Sequence, residues 1–265
     1  MILPLPAVID THCHLDIAAF DADRDAVLAR AATAGVTGIL VPAIRPATWS
    51  ALLALATGQP MLRVALGIHP QIVPALSPDE VPADFADVLA RAVEDSGAAA
   101  VGECGLDGGT GDHERQEALL RAHVRAARAT KRPLVLHVLR AHDVAPRILR
   151  EERADEVGGV MHSYSGGEHM VPIYSGLGMC FSFAGPVTYP NARKPVAAAR
   201  AVPAALLLAE TDAPDQAPAA HRGGRCEPAH VAAVIEGLAA ARGVPAREIA
   251  DLTATNARRL FGAFG

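Results

Sequence analysis

The stretch Pro6-Ala-Val-Ile-Asp-Thr-His-Cys-His14 decides the fold. It opens as a short apolar strand and ends on histidines. The first strand of a doubly wound open sheet would instead lead into a glycine-rich phosphate turn. With Pro6–His12 as the first strand, seven more apolar runs follow: Gly35–Ala43, Leu62–Pro70, Ala98–Asp107, Arg132–Val138, Gly158–Gly166, Met179–Gly185 and Ala205–Pro214. Their cores run without alternation, as parallel strands covered on both faces do. Between them the spacing is helical: Phe85, Val88, Leu89, Ala92 and Val93 share one face, as do Val231, Val234, Ile235 and Leu238. A helix is expected from about Thr48, after Pro42 and Pro46, and the tail Pro245–Phe264 reads as a last helix or two closing the base. Eight such units in 265 residues predict an α/β fold: a single (β/α)8 TIM-barrel domain spanning residues 1–265.

Composition narrows the partners. With 51% apolar residues the chain has ample material for a core, which excludes intrinsic disorder. Lys and Arg number 24 against 29 Asp and Glu, so the net charge of −5 offers no basic footprint for tight nucleic-acid binding. Aromatic residues at 4% are too few for a long base-stacking platform. A polyanionic substrate has to be drawn in locally, by a metal or a few arginines. Cys13, Cys104, Cys180 and Cys226 form no C-x-x-C pair, so neither a disulfide scaffold nor a zinc knuckle is expected. The start lacks a basic segment before its short apolar stretch, and no run approaches the roughly 18 apolar residues of a membrane span. The expectation is a reduced, cytoplasmic protein with no membrane contact and no obligate protein partner.

Polar residues collect at the carboxyl ends of the strands: His12 and His14, His69, Glu103, His137, His162, and Glu210 with Asp212. In a barrel those ends converge on the face where active sites are built. His12 and His14, two apart on a strand, point to the same side, while Cys13 turns away as a small packing residue, as does Cys104 beside Glu103. Glu103 follows the apolar run AAAVG, and a carboxylate there is costly to bury unless paired or metal-bound; its two oxygens can bridge two cations. His137 ends LVLH, His162 ends GVMH, and Asp212 follows LLLAET. Each taken singly is also compatible with a hydrogen-bonded core polar group. Four imidazoles and two carboxylates together predict a hydrolytic centre of two divalent metal ions, which lowers the pKa of a bound water. Nitrogen-rich ligation suits Zn, Mn or Ni better than Mg, which fits if waters complete its shell. Asp212 can also take a proton from the attacking water or orient it, and Glu210 can hold the far nitrogen of a ligand histidine.

These pieces resemble the TatD-type metal-dependent deoxyribonucleases of the amidohydrolase-like barrels. The matching segments are DTHCHLD (10–16), ALGIHP (65–70), GECGLD (102–107), PLVLH (133–137), MHSYSGG (161–167), ETDAP (210–214) and NARRLFG (256–262), in order along nearly the whole chain. The resemblance implies a (β/α)8 fold with His12, His14, Glu103, His137, His162 and Asp212 as ligands of two divalent cations, and Asp212 and Glu103 at the reaction centre. It further implies phosphodiester hydrolysis of DNA from the 3′ end. Three departures bear on the substrate. The stretch after GLD, usually aromatic in the family, is GGTGDHERQ (108–116); the arginine usual two places after the strand-five histidine is Leu139, with Arg140 next; and Gln71 stands where a second histidine is frequent.

His69, Arg140 and Arg225 are the expected substrate-binding residues, since an arginine fork grips phosphate oxygens bidentately. His142 and Arg222 are further phosphate candidates that also read as a helix-start residue and a solvated loop charge. His113, His123 and His169 read as helix-face or surface residues, and His221 and His230 carry no distinct signal. The leading functional expectation is a metal-dependent phosphodiesterase acting on weakly bound DNA or oligonucleotide ends. The alternative keeps the metals and changes the bond to a carboxylic ester, lactone or amide, including D-aminoacyl-tRNA. A non-catalytic barrel would be expected to lack a ligand position, and all six are filled.

Overall fold

The computed structural model describes residues 7–264, so Pro6 of the first expected strand lies outside them. Eight parallel strands form one sheet in chain order: β1 Val8–Asp10, β2 Val36–Pro42, β3 Leu62–Leu66, β4 Ala100–Asp107, β5 Leu134–Leu139, β6 Gly159–Met161, β7 Met179–Phe183 and β8 Leu207–Ala209. The sheet curls until its edges meet. Thr11 N–H donates to Ala209 O at 3.1 Å, Asp212 N–H to His12 O at 2.9 Å and His14 N–H to Ala213 O at 2.8 Å, with a parallel bridge between Cys13 and Ala213. The seam of this nearly closed barrel thus runs through the residues that carry the chemistry.

The strands are shorter than their apolar runs. His12, His14, His69, His162, Glu210 and Asp212 all lie just past the last ladder residue of their strand. There the backbone is free of the ladder and can bend toward the axis. Glu103 and His137 reach the same end from within β4 and β5.

Helices α1 Arg24–Thr33, α2 Trp49–Ala56, α3 Phe85–Ser96, α4 His113–Thr130, α5 Ala145–Glu151, α6 Val171–Ser175, α7 Arg193–Ala201 and α8 Val231–Arg242 alternate with the strands. A 3-10 turn at Pro46–Thr48 leads into α2, as the proline placement predicts. The helices cover the outer face of the sheet with buried apolar side chains; α3 is amphipathic and buries Phe85, Leu89 and Val93, one per turn.

Two apolar layers result. The larger lies between strands and helices. The smaller fills the barrel interior with Ile9, Leu40, Ala65, Ala100, Val135, Val160, Cys180 and Leu208, one residue from each strand. The tail forms a single helix, α9 Ala246–Phe261, whose Ala254, Ala257 and Phe261 join that interior layer with Phe264. Burying each phenylalanine contributes roughly 2–3 kcal/mol. Asn256 fixes α9 by donating to Ala204 O and Leu207 O at 2.8 and 2.9 Å. With the base plugged, the open end of the barrel is the end where the polar residues gather. No helix among the described residues is long and apolar enough to cross a membrane.

Candidate metal centre

Glu103 is the hub. It is fully buried, and the parallel register of β4 on β5 slips there: Gly102 pairs with Val135 and Cys104 with Leu136, leaving Glu103 as a bulge. Ala100 faces the interior layer and Val101 the outer one, so unbroken alternation would turn residue 103 toward the helices. The bulge reverses the phase and aims the carboxylate along the axis. Close backbone packing accompanies it. A Cβ on Gly67, past the end of β3, would meet the Gly102 carbonyl carbon at 2.6 Å, and one on Gly105 would meet His137 O at 1.8 Å. Only glycine admits both neighbours.

The two oxygens of Glu103 face two sets of groups. Oε2 lies 3.1 Å from His12 Nε2 and 3.4 Å from His14 Nε2, and Asp212 Oδ1 stands 3.6 and 3.7 Å from those nitrogens. Oε1 lies 3.0 Å from His69 Nε2, 3.1 Å from His137 Nδ1 and 2.8 Å from His162 Nε2. His162 stacks on His12 with ring centroids 3.9 Å apart, which ties the two halves together.

Five imidazoles around one carboxylate cannot all be satisfied by it. Glu103 Oε2 makes no hydrogen bond despite its close neighbours, and one ring nitrogen each of His12, His14, His137 and His162 is buried without a partner. Nδ1 of His162 is the best served of these, with Glu210 Oε1 at 3.4 Å. Those nitrogens lie on the far side of each ring. The nitrogens that converge on Glu103 are Nε2 of His12, His14, His69 and His162 and Nδ1 of His137. Five such nitrogens crowded within 2.8–3.4 Å of one carboxylate, one of whose oxygens is itself unpartnered, form a donor set that fits divalent cations. Three overlapping groups bring their atoms within 4.8 Å of one another: His12, His14 and Glu103; His12, His162 and Asp212; and His69, Glu103 and His137. His69, expected from sequence to hold substrate, therefore sits in the ligand cluster with the six expected ligands. Its position at a strand tip was the signal for this.

The electrostatics follow from burial and crowding. Burial would raise the Glu103 carboxyl, but His69, His162 and His12 hold it well below its usual range. Burial would lower His14, yet Glu103, Asp212 and Asp16 carry it up to about 9. His162 is held well above its usual range, against burial, by Glu103 and Glu210. His12 and His69 go down, because burial outweighs their share of the carboxylate. A site in which neighbouring imidazoles divide into high and low is one where a few charges serve many donors.

Surrounding residues fix the centre. Asp10 accepts from Thr211 N at 2.9 Å, Thr211 Oγ1 at 2.5 Å and His12 N at 3.2 Å, and burial with Glu210 nearby pushes its carboxyl up to about 8. Glu210 accepts from Ser182 Oγ and from Ser163 N. Asp107 accepts from Gln71 Nε2 and Gly109 N, each at 2.7 Å, and stands 3.6 Å from His137 Nε2. His123, expected at a helix face or surface, is fully buried on α4: its Nε2 accepts from Ile68 N at 3.0 Å, bracing the approach to His69. Asp10 and Asp107 are the last residues of β1 and β4, and neither is among the site residues expected from sequence. Asp10 interrupts an apolar run as Glu103 does, and that was its available signal.

A family model described as TatD related DNase matches residues 9–262, which takes in every residue of this centre. The chain belongs to the TatD family. The uncharacterized metal-dependent hydrolase YjjV of Escherichia coli K12 is 37% identical over 257 residues, covering 96% of this chain and 97% of that one. The uncharacterized metal-dependent hydrolase YabD of Bacillus subtilis is 32% identical over 256 residues, covering 96% and 98%. The crystal structure of YjjV superposes with a TM-score of 0.88 at 36% identity, covering 97% of this chain and 98% of that one.

Within this TatD fold, the residues expected to grip phosphate are placed differently from the expectation. Arg225 forks onto Asp23 with two 2.8 Å hydrogen bonds, donates to Glu227 at 2.9 Å and lies over the Phe20 ring. Its donors are committed to holding the β1–α1 segment and are not left free to fork onto a phosphate. Arg140 is exposed and lies beside a separate cleft of about 260 Å³ with Asp107, Gly108 and His113, outside the ligand cluster. Arg222 stacks on Tyr189. His142 spends both nitrogens, on Tyr174 Oη at 2.9 Å and Ser165 Oγ at 3.0 Å.

Proposed function

We propose that this metal-dependent hydrolase of the TatD family is a phosphodiesterase that works with two divalent cations on DNA or oligonucleotide ends. The observation that carries the reading is the division of Glu103, one oxygen toward His12 and His14, which Asp212 Oδ1 also faces, and the other toward His69, His137 and His162. A bridging carboxylate between two nitrogen-rich sets is the donor pattern of a two-cation centre. Cations bound there would supply Lewis acidity, lowering the pKa of a water and drawing charge from the phosphoryl oxygens.

The chain's own groups do the rest. Asp212 adopts a left-handed backbone conformation with φ 54°, fixed by its N–H on His12 O at 2.9 Å. That conformation is costly for a residue other than glycine, and it turns Oδ1 toward His12 and His14. Gln216 Nε2 donates to Oδ2, leaving Oδ1 as the atom that accepts the proton of the attacking water. Glu210 holds His162 from behind, and Asp107 does the same for His137. The buried walls keep bulk water from diluting these interactions.

The test is hydrolysis of a 3′-labelled single-stranded oligonucleotide by metal-free protein, with Mg²⁺, Mn²⁺, Zn²⁺ and Ni²⁺ returned separately. Shortening from one end that requires a cation supports the reading. Two bound equivalents without cleavage overturn it and direct attention to carboxylic esters and D-aminoacyl-tRNA.

A further inference from the structure

We infer that Lys194 holds a second, non-scissile phosphate of the substrate, in the cavity that opens from the metal centre. This rests on the phosphodiesterase reading above. The cavity has about 310 Å³ and is bounded by His137 and His162 of the centre, apolar walls including Phe183 and Val187, and Lys194. Ligand pockets run from roughly 300 to 1,000 Å³, so this one takes a single nucleoside-sized unit and not a length of strand. A unit seated there with its scissile phosphate at the histidines presents its next phosphate to the cavity's rim.

Lys194 is the cation there. It is exposed and forms no ion pair among the described residues. It lies in the first turn of α7, a turn with no acidic residue. A lysine at the positive end of a helix dipole is unfavourable, and no acidic residue in that turn offsets it. A local cost without a structural gain marks a residue kept for binding. Arg225 and Arg222 are engaged elsewhere, on Asp23 and Tyr189; Arg140 and Arg193 are exposed like Lys194, but Arg140 lines the other cleft and neither lines this cavity. His142, near Lys194, has its pKa held down to about 4 by burial and by that ammonium against the pull of Asp143, and both its nitrogens are bonded. In a chain of net charge −5, one unpaired ammonium beside the centre is a local attractor for an anion.

The experiment is fluorescence anisotropy of 5′-fluorescein-labelled tetrathymidylate on the metal-free protein, across a salt series. Lys194→Gln is expected to weaken binding about 5- to 10-fold and to flatten the dependence of log Kd on log salt by about 0.7, one phosphate's share for a single strand. Lys194→Arg restores most of the affinity, and Arg128→Gln, far from the cavity, binds as wild type. With cations added, the loss in Lys194→Gln falls on KM and not on kcat. Equal binding by Lys194→Gln and wild type at every salt concentration overturns the inference, as does the absence of measurable wild-type binding. Binding that depends on Lys194, with no turnover of the same oligonucleotide under any metal, leaves the phosphate contact standing and overturns the phosphodiesterase reading instead.

Discussion

Asp10 and Thr211, 201 positions apart in the chain, are joined by two hydrogen bonds, from Thr211 N–H and Thr211 Oγ1–H to the two oxygens of one buried carboxylate. This clip closes the barrel at its seam and fixes His12 relative to Asp212, since Asp10 also accepts from His12 N. Asp10→Ala leaves three donors without an acceptor. It is expected to destabilise the metal-free protein by about 2–3 kcal/mol and to lower kcat/KM about 100-fold. Asp10→Asn, which keeps one acceptor, should fall between. Denaturant melts and steady-state kinetics check both; loss of stability with full activity would show that the clip does not position the centre.

Glu103 bridges the two halves. Glu103→Gln keeps the shape and loses the charge that both halves share, so on the two-cation proposal the purified variant should retain at most one equivalent of metal and the wild type two. Activity should drop by about 10³-fold or more. Metal analysis after dialysis decides the stoichiometry, and two retained equivalents would contradict the bridging role.

His69 offers a sharper distinction, between ligand and substrate contact. As a ligand, His69→Ala should weaken one of two metal-binding steps by about 10- to 100-fold. As a substrate contact it would raise KM and leave metal binding alone. Titration of metal-free protein with Zn²⁺ or Mn²⁺ separates the two outcomes.

His123 gives the stability of the metal-free protein a defined pH dependence. Burial holds its pKa down from 6.5 to about 4, so it is neutral in the fold while the unfolded chain protonates it below 6.5. The stability is intact above 6.5 and is lost as pH falls through about 4. Between pH 7 and 4.5, wild type should lose about 2–3 kcal/mol more than His123→Gln. Urea unfolding at the two pH values measures the difference; equal losses would mean that His123 is not held neutral.

Arg225→Ala tests the reassignment of that arginine. Because its fork is engaged by Asp23 and Glu227, oligonucleotide kcat/KM should stay within about twofold of wild type while the melting temperature falls. A large rise in KM would return Arg225 to the substrate site.

What the sequence determined by itself is the architecture and the inventory of the centre. Eight non-alternating apolar runs can be buried on both faces only in a parallel sheet, and polar residues repeated at their carboxyl ends can meet only at one end of a barrel. For β5, β6 and β8 simple alternation also gives the direction: Val135 and His137, Val160 and His162, and Leu208, Glu210 and Asp212 share the inner face. At β1 and β4 it does not. Ile9 faces the interior, yet so do His12 and His14, three and five places on; Ala100 faces it, and so does Glu103. These phase changes come from the bend after Asp10 and the bulge at Glu103, which are set by the pairing of neighbouring strands and leave no periodic trace in the residues themselves. The same holds for the charged side chains. Which carboxylate takes Arg225, what occupies both nitrogens of His142, and that Lys194 has no ion-pair partner among the described residues depend on contacts between loops from different βα units. Those contacts exist only once the barrel has closed.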